Sequence, residues 1–455
     1  MFYIVIWLIV AVISFLLFKK SAGTMTLLKP NILSIVFYYS LFISSFIGSL
    51  LIALNIDKHY MIDLLADDRF RTIGFFAICF VMIMLPLSML FVTKLIGFNP
   101  EKEFNDYINA PVQIENDKMT YLIFVGFTGL SCLSILYTVY HLHSIPILEL
   151  LRGSSNLAEL RIDAARNFGG NTLIRNIFAI GLTPLLSMIT FIYSYKTRQL
   201  RWIFLFFITT GGAVFIQIYD LSKGPIFFYL LMFILLLLYL NIIKLNWRRI
   251  AILGGAGIAA IVVMYVFIQG VEDIDQFFDY NRGPIGRLIL TQIAGFYFHL
   301  ELFTDRMPLL LGQSLPSSIT GLYDIEQVRS ARLAMEVYFP GRVEEGTAGV
   351  LNTLFAGEAF ANFGYIGMII GTVYVGVFIQ LVYIAFLRIP KNPLFIALFI
   401  YFTVNIPRVV IGGFTDFLLN ILWIALIIIL TSPFIVLKVY RLFVRKRKEL
   451  NSNIG

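Results

Sequence analysis

Apolar runs of eighteen or more residues recur along this chain, and they constrain its fold more than any other feature. A run of that length crosses a bilayer as a helix, because about 20 helical residues cover the ~30 Å hydrocarbon core. Hydrophobic residues make up 59% of the 455, which a soluble domain of this size could not bury. The sequence predicts an all-α, polytopic helical membrane protein.

About eleven spans are predicted. They lie near residues 1–18, 31–54, 72–93, 120–140, 172–194, 202–219, 225–243, 250–269, 363–387, 393–406 and 417–437. The first lacks a preceding basic region and a small-residue cleavage site, so we expect a retained helix rather than a signal peptide. The chain then divides into eight helices in residues 1–269, one large external loop in 270–362, and three helices with a basic tail in 363–455.

Charge sets the orientation. The basic tail at 438–448 should be cytoplasmic by the positive-inside rule, which places the amino terminus outside. The other loops then agree: the inner side carries a net charge of +14 and the outer side −6. The excess of basic residues therefore reflects the membrane topology, and nucleic acid is not predicted as a partner.

Lysine and arginine are distributed differently between the two sides. Twelve of the fourteen lysines fall inside, whereas thirteen of the twenty-one arginines fall outside. Arginine binds phosphate and carboxylate through a bidentate fork, so the outer surface suits an anionic, phosphorylated ligand. The alternative is that these arginines pair with the 21 outer acids.

The external loop gathers most of the chemistry. It contains His299, twelve acids and six arginines, and it closes on the stretch Gly357-Glu-Ala-Phe-Ala-Asn-Phe-Gly364. Glu358 and Asn362 are four residues apart and so share a helical face. An acid at the mouth of a span is costly unless it is paired or functional, and Arg408 offers a partner. Glu358 is therefore either a functional carboxylate or half of an ion pair.

Three further segments are candidates for a role at the site or at the membrane surface. Lys223, in the turn Asp-Leu-Ser-Lys-Gly-Pro, would meet a phosphate or form a salt-bridged turn. An amphipathic helix is expected near residues 156–168, with Arg161 and Arg166 about 140° apart around its axis. The apolar stretch 288–303 is flanked by outer-side charges, so we interpret it as re-entrant or interfacial rather than spanning.

No metal and no cofactor are predicted. The Asp273-x-Asp275 pair lies in an acidic stretch without a nucleotide-binding pattern around it. His141-x-His143 ends a span, where amphipathic rings commonly anchor. The two cysteines lie in apolar spans far from each other in sequence, which suggests neither a disulfide nor a thiolate site.

Several of these features together resemble the bacterial oligosaccharide repeat-unit polymerases, the Wzy-type O-antigen and capsule polymerases. The features are the many spans, the long outer loop near the carboxyl end, the Lys223-Gly-Pro turn, the Gly312-Gln-Ser-Leu stretch and the Gly357 to Gly367 stretch. The resemblance covers most of the chain in architecture but only short stretches in sequence.

The resemblance implies a metal-independent, inverting membrane glycosyltransferase of GT-C-like architecture in the bacterial cytoplasmic (inner) membrane. Such an enzyme joins oligosaccharide units carried on undecaprenyl pyrophosphate at the outer face, alongside a flippase and a chain-length regulator. The outer cations and the amide that would bind substrate are Arg161, Arg166, Lys223, Arg282, Arg287, Arg408 and Asn362. Glu358 is the expected base for the acceptor hydroxyl, and the alternatives are His299 or Glu344 and Glu345.

Two other functions compete with polymerisation. An O-antigen ligase uses the same donor and usually has a histidine at its site, which His299 would supply. A transporter of lipid-linked oligosaccharide should instead show paired broken helices and ionisable residues near the membrane midplane. The sequence shows neither of these features.

Overall fold

The computed structural model describes residues 1–152, 160, 164, 168–269, 281 and 283–452. All the regular structure in these residues is helical. The longer helices are α1 (Phe2–Ala22), α2 (Ile32–Ala53), α3 (Arg69–Leu95), α4 (Pro100–Asn109), α5 (Lys118–Tyr140), α6 (Pro146–Leu151), α7 (Thr172–Thr197), α8 (Leu200–Ile218), α9 (Lys223–Tyr239), α10 (Trp247–Gln269), α11 (residues 284–306), α12 (Ser330–Tyr338), α13 (Pro340–Glu344), α14 (Leu354–Arg388), α15 (Pro393–Gly412) and α16 (Ile421–Ser452). Single turns of helix lie at Ile62–Leu64, Ser317–Thr320, Gly321–Tyr323 and Thr415–Phe417.

Within these residues, nine helices are long and apolar enough to cross a membrane. They coincide with nine of the eleven predicted spans, and the protein is a multi-pass helical membrane protein. The other two predicted spans correspond to the shorter apolar helix at Gly224–Tyr239 and to α10. Helix α14, which contains the ninth span, starts at Leu354 inside the expected loop, and it is broken at Phe363 and Gly364, where the predicted span begins.

The chain forms two compact units. Unit 1 comprises Met1–Ala110, Asn241–Ile389 and Phe402–Asn420. At its centre α3 packs against α1 and α14, and polar groups join these helices where lipid would not satisfy them. The Gln380 side chain donates to Thr93 Oγ1 at 2.9 Å and to the Ser21 carbonyl at 3.1 Å. Tyr383 donates to the Ala22 carbonyl at 3.1 Å.

Unit 2 comprises Pro111–Leu240, Pro390–Tyr401 and Ile421–Gly455. Its core is the pair of helices α7 and α8, with α5 beside them. Hydroxyl groups join α7 to α8, as between Thr190 and Thr209 at 2.8 Å. Trp202 is fully buried and stacks on Tyr193, with ring centroids 4.0 Å apart. Small hydroxyl residues and aromatic packing thus stabilise this unit, as is usual between membrane helices.

Both ends of helix α11 contact the connection between α2 and α3. Just before it, Asn281 accepts a hydrogen bond of 2.7 Å from the Tyr60 backbone, in the connection between α2 and α3. At its end, Asp305 pairs with Arg69, where that same connection meets α3. That residues 288–303 are re-entrant or interfacial stays a prediction, which these contacts at both ends favour.

Candidate active site

Glu358 lies in the first turns of α14 and is 8% exposed. Three hydrogen bonds hold its carboxylate. Oε2 accepts from the Thr415 backbone N–H at 2.8 Å, and Oε1 lies 2.7 Å from Thr415 Oγ1 and 3.2 Å from Ser314 Oγ. These partners are neutral, so the buried carboxylate is held by hydroxyl and amide groups rather than by a cation.

Asn362, one helical turn later, assembles the rest of the site. Its side-chain oxygen accepts from the backbone N–H of Gly312 at 3.1 Å and of Ser314 at 3.3 Å. Its side-chain nitrogen donates to Ser314 Oγ at 2.6 Å and to the Glu358 carbonyl at 2.9 Å. Asn362 is fully buried, and it fixes the 312–314 segment beside the carboxylate.

Helix α14 is broken directly after Asn362. Phe363 (φ −136°, ψ 18°) and Gly364 (φ 63°, ψ −151°) leave the helical conformation, which a glycine at the second position tolerates best. The carbonyls of Ala361 and Asn362, directly before the break, accept from the N–H groups of Leu310 and Leu311 at 2.9 Å each. Irregular backbone at membrane depth persists only where protein or a cavity satisfies it.

The hydroxyl groups around Glu358 can form hydrogen bonds with both its ionised and its protonated form. Thr415 Oγ1 lies 2.7 Å from Glu358 Oε1 and also 2.7 Å from the Ser314 carbonyl, yet it has one proton to donate. An ionised Glu358 receives that proton in a hydrogen bond. A protonated Glu358 donates to Thr415 Oγ1, which then turns its own proton toward Ser314. The network therefore lets the carboxylate take up a proton without breaking its contacts.

A cavity of about 70 Å³ adjoins the carboxylate. Glu358, Ser314, Thr415 and the two residues Arg329 and Asp416 are among its lining. Arg329 is exposed and supplies a positive charge near the Asp416 carboxylate. Since a liquid water occupies about 30 Å³, the cavity holds about two waters or one small substituent. A larger substrate would lie across its mouth.

Backbone approaches the carboxylate closely at Gly413. A Cβ atom added there would lie 2.5 Å from Glu358 Oε2 and 3.6 Å from Thr353 Oγ1. A Cβ added at the neighbouring Gly412 would meet only Asp416 Oδ2, at an ordinary 3.8 Å. A side chain at position 413 would therefore displace the Glu358 carboxylate.

His299 lies on α11 outside this cavity. Its ring is fully buried, with Nδ1 2.7 Å from the Gly295 carbonyl and Nε2 3.1 Å from Ser330 Oγ. Burial lowers the pKa of the imidazole to about 4, so the ring is neutral near pH 7. Nδ1 donates to the carbonyl and Nε2 accepts from the hydroxyl. Both nitrogens have protein partners, and neither reaches the Glu358 cavity.

Several outer arginines pair with acids, as the alternative interpretation expected. Among the described arginines assigned to the outer side, ion pairs are formed by Arg69, Arg71, Arg152, Arg306 and Arg332. Asp67 and Asp68 pair with the arginines that follow them.

The two predicted cations whose side chains are described, Arg287 and Arg408, are not at the carboxylate. Arg408 is exposed and donates to Asn405 Oδ1 at 2.9 Å, and Glu358 is bound by Ser314 and Thr415 instead. The alternative of a Glu358–Arg408 ion pair is therefore wrong. The two segments that reach Glu358 contribute the hydroxyl groups of Ser314 and Thr415. Arg287 is exposed on α11 and does not line the cavity.

Arg161, Arg166, Arg282 and the Asp273-x-Asp275 pair lie outside the described residues. Lys223 begins α9, and its side chain also lies outside the described part. Its neighbour Asp220 accepts from the backbone and hydroxyl of Ser222, at 2.9 and 2.8 Å.

Sequence reasoning missed Ser314, Thr415 and Arg329 as parts of the site. Ser314 stands in the Gly312-Gln-Ser-Leu stretch, so the resemblance pointed to the segment without giving the residue a contact. Thr415 follows Gly412-Gly413, and that glycine pair was a sign of close backbone approach. Nothing local distinguishes Arg329 from the other loop arginines.

Among the residues that the structure describes, no group of three or more histidine, cysteine, aspartate or glutamate side chains could hold a metal ion. Comparisons with protein-family models, with curated proteins and with solved structures find no match to this chain.

Proposed function

We propose that this protein polymerises oligosaccharide repeat units carried on undecaprenyl pyrophosphate, at the outer face of the bacterial cytoplasmic membrane. The observation that carries the proposal is Glu358, a buried carboxylate with neutral partners, placed before a break in a membrane helix and facing a small cavity. Burying an ionisable group in a membrane protein costs free energy, and groups that are retained there are usually functional.

In this proposal Glu358 is the general base. The acceptor sugar places one hydroxyl in the cavity, and Glu358 takes its proton as the oxygen attacks the anomeric carbon of the donor. The bond from that carbon to the lipid pyrophosphate breaks, and the pyrophosphate leaves with the electron pair. Rotation of the Thr415 hydroxyl accommodates the new proton on Glu358.

Arg329 is the described cation best placed to act on the donor, because it lines the cavity that contains Glu358. Its guanidinium would stabilise the negative charge that develops on the departing pyrophosphate, without a metal ion. The predicted cations Arg287 and Arg408 are exposed outside the cavity, where they would contact a lipid pyrophosphate only away from the reacting carbon.

A transporter of lipid-linked oligosaccharide is the second candidate. A membrane helix broken beside a buried carboxylate also occurs at transporter sites, and α14 has this feature. Ligase activity draws less support, because both ring nitrogens of His299 are engaged by Gly295 and Ser330. A test must therefore measure formation of the glycosidic bond itself.

The test uses purified protein in detergent with lipid-linked repeat units, isolated from cells that lack the gene for this chain. Mass spectrometry of the products counts joined units. Glu358→Gln is the main variant, and Glu344→Gln, at an exposed acid outside the cavity, is its matched control. A glutamine at 358 fits the contacts of the protonated acid: its oxygen accepts from Thr415 N–H and its nitrogen donates to Thr415 Oγ1.

We expect wild type and Glu344→Gln to build polymer, and folded Glu358→Gln to leave single units with a loss of roughly 100-fold or more. Near-normal polymerisation by Glu358→Gln would exclude Glu358 as the base. If wild type joins no units but moves them across proteoliposome membranes, the chain is a transporter.

A further inference from the structure

A second cavity in unit 1 is much larger than the one at Glu358. It has a volume of about 670 Å³ and lies at the carboxyl end of α1, beside the start of α2 and the start of α4. The connection between α1 and α2, residues 23–31, forms one wall. The sequence predicts that this end of the helices is cytoplasmic, opposite to the side assigned to Glu358.

The wall is held by local hydrogen bonds, so the cavity is preformed. Tyr38 donates to the Met25 carbonyl at 3.0 Å, and the Asn31 side chain donates to the Thr24 carbonyl at 3.0 Å. The Lys29 ammonium group donates to Asn105 Oδ1 at 3.0 Å, which joins the wall to α4. The connection is thus tied to α2 and α4 around the opening.

Charged, polar and apolar side chains line the cavity, and its polar uncharged residues are Thr24, Thr26 and Asn105. Its charged lining residues are Lys19, Lys29 and Glu101, a net charge of +1. Lys19 lies in the last turn of α1, and Lys29 lies just before α2. The apolar and aromatic part of the lining comprises Phe15, Met25, Leu27, Tyr38, Phe104 and Trp247.

Lysines beside apolar and aromatic side chains are typical of the headgroup region of a membrane. Lysines at the ends of spans mark the membrane–water boundary, and an exposed tryptophan at the start of a helix, as at Trp247, is typical of the same level. A phospholipid places an anionic phosphate at that level and its glycerol and acyl carbons just below it. Basic pockets between membrane helices on the cytoplasmic side bind such headgroups.

We propose that this cavity binds the headgroup of an acidic phospholipid. The phosphate lies between Lys19 and Lys29, and the glycerol with the first acyl carbons packs on Phe15, Tyr38 and Phe104. A free phosphate would leave the aromatic part of the cavity without a contact, which is why the structure favours a lipid.

The test is native mass spectrometry of the full-length protein in detergent, titrated with dioleoyl phosphatidylglycerol or dioleoyl phosphatidylcholine. The main variant is Lys19→Gln with Lys29→Gln. Lys20→Gln with Lys94→Gln is the matched control, because it removes the same charge from exposed lysines that do not line the cavity. Lys19→Arg with Lys29→Arg keeps the charge and tests rescue. Gel filtration establishes that each variant is folded.

We expect the main variant to bind phosphatidylglycerol roughly thirtyfold more weakly, at about fivefold for each lysine near a membrane surface. The control and the arginine variant should bind as wild type does. Equal affinity of wild type and the main variant would overturn the proposal, as would equal binding of the two lipids. Displacement of phosphatidylglycerol by an equimolar amount of inorganic phosphate would make a free anion the occupant and overturn the lipid assignment.

Discussion

Replacing Gly413 by alanine tests the geometry of the carboxylate directly. The added Cβ would lie 2.5 Å from Glu358 Oε2, about 0.9 Å closer than an ordinary contact of about 3.4 Å allows. Glu358 cannot move aside cheaply, since three hydrogen bonds hold its two oxygens. A shift of that size away from Gly413 would stretch the 2.8 Å bond from the Thr415 N–H beyond hydrogen-bonding distance.

The loss of that hydrogen bond determines the expected loss of stability. A hydrogen bond to a charged group contributes about 1.5–3 kcal/mol, so Gly413→Ala should lower the free energy of unfolding by roughly that amount. If Glu358 is the base, a displacement of about 1 Å should also lower the polymerisation rate by up to ~100-fold. The variant is thus expected to remain folded while losing most of its activity.

Gly412→Ala is the matched control. Its Cβ meets only Asp416 Oδ2, at 3.8 Å, so the same chemical change one residue away should leave both stability and rate near wild type. The assay compares thermal unfolding in detergent with polymer formed per folded molecule. Equal unfolding temperatures and equal rates for the two variants would refute the placement of Glu358 against Gly413.

Three other predictions follow from named side chains. Because burial lowers the pKa of His299 to about 4, below its unfolded value of about 6.5, its contribution is complete above pH 6.5 and is lost as pH falls toward 4. Thermal unfolding of His299→Gln should therefore depend less on pH in that window than wild type, and an unchanged dependence would contradict the burial. Arg329→Lys should reduce polymer by at least tenfold and Arg408→Lys by less, measured per folded molecule, and the reverse order would move the donor site away from the cavity. A cysteine at the exposed Ser317 should react with an impermeant thiol reagent in intact cells and one at Ser452 should not, and labelling at 452 would reverse the orientation.

The sequence by itself determined that this is a helical membrane protein and where its long apolar helices lie. A span depends on the length and apolarity of one local run, which no distant contact changes, and all eleven predicted spans correspond to helices. It also placed Glu358 and Asn362 on one helical face. That prediction is confirmed by the 2.9 Å bond from the Asn362 side chain to the Glu358 carbonyl, since the helical repeat alone brings those positions together.

The partners of Glu358 were decided only by the tertiary structure. Ser314 and Thr415 are 44 and 57 residues away from it, and no local pattern specifies which distant chain will reach a carboxylate. The break after Asn362 was not predicted from the sequence, for a similar reason. The backbone carbonyls at the break accept hydrogen bonds from the N–H groups of residues 310–311. The hydropathy of α14 carries no information about these bonds, because their donors come from another part of the chain.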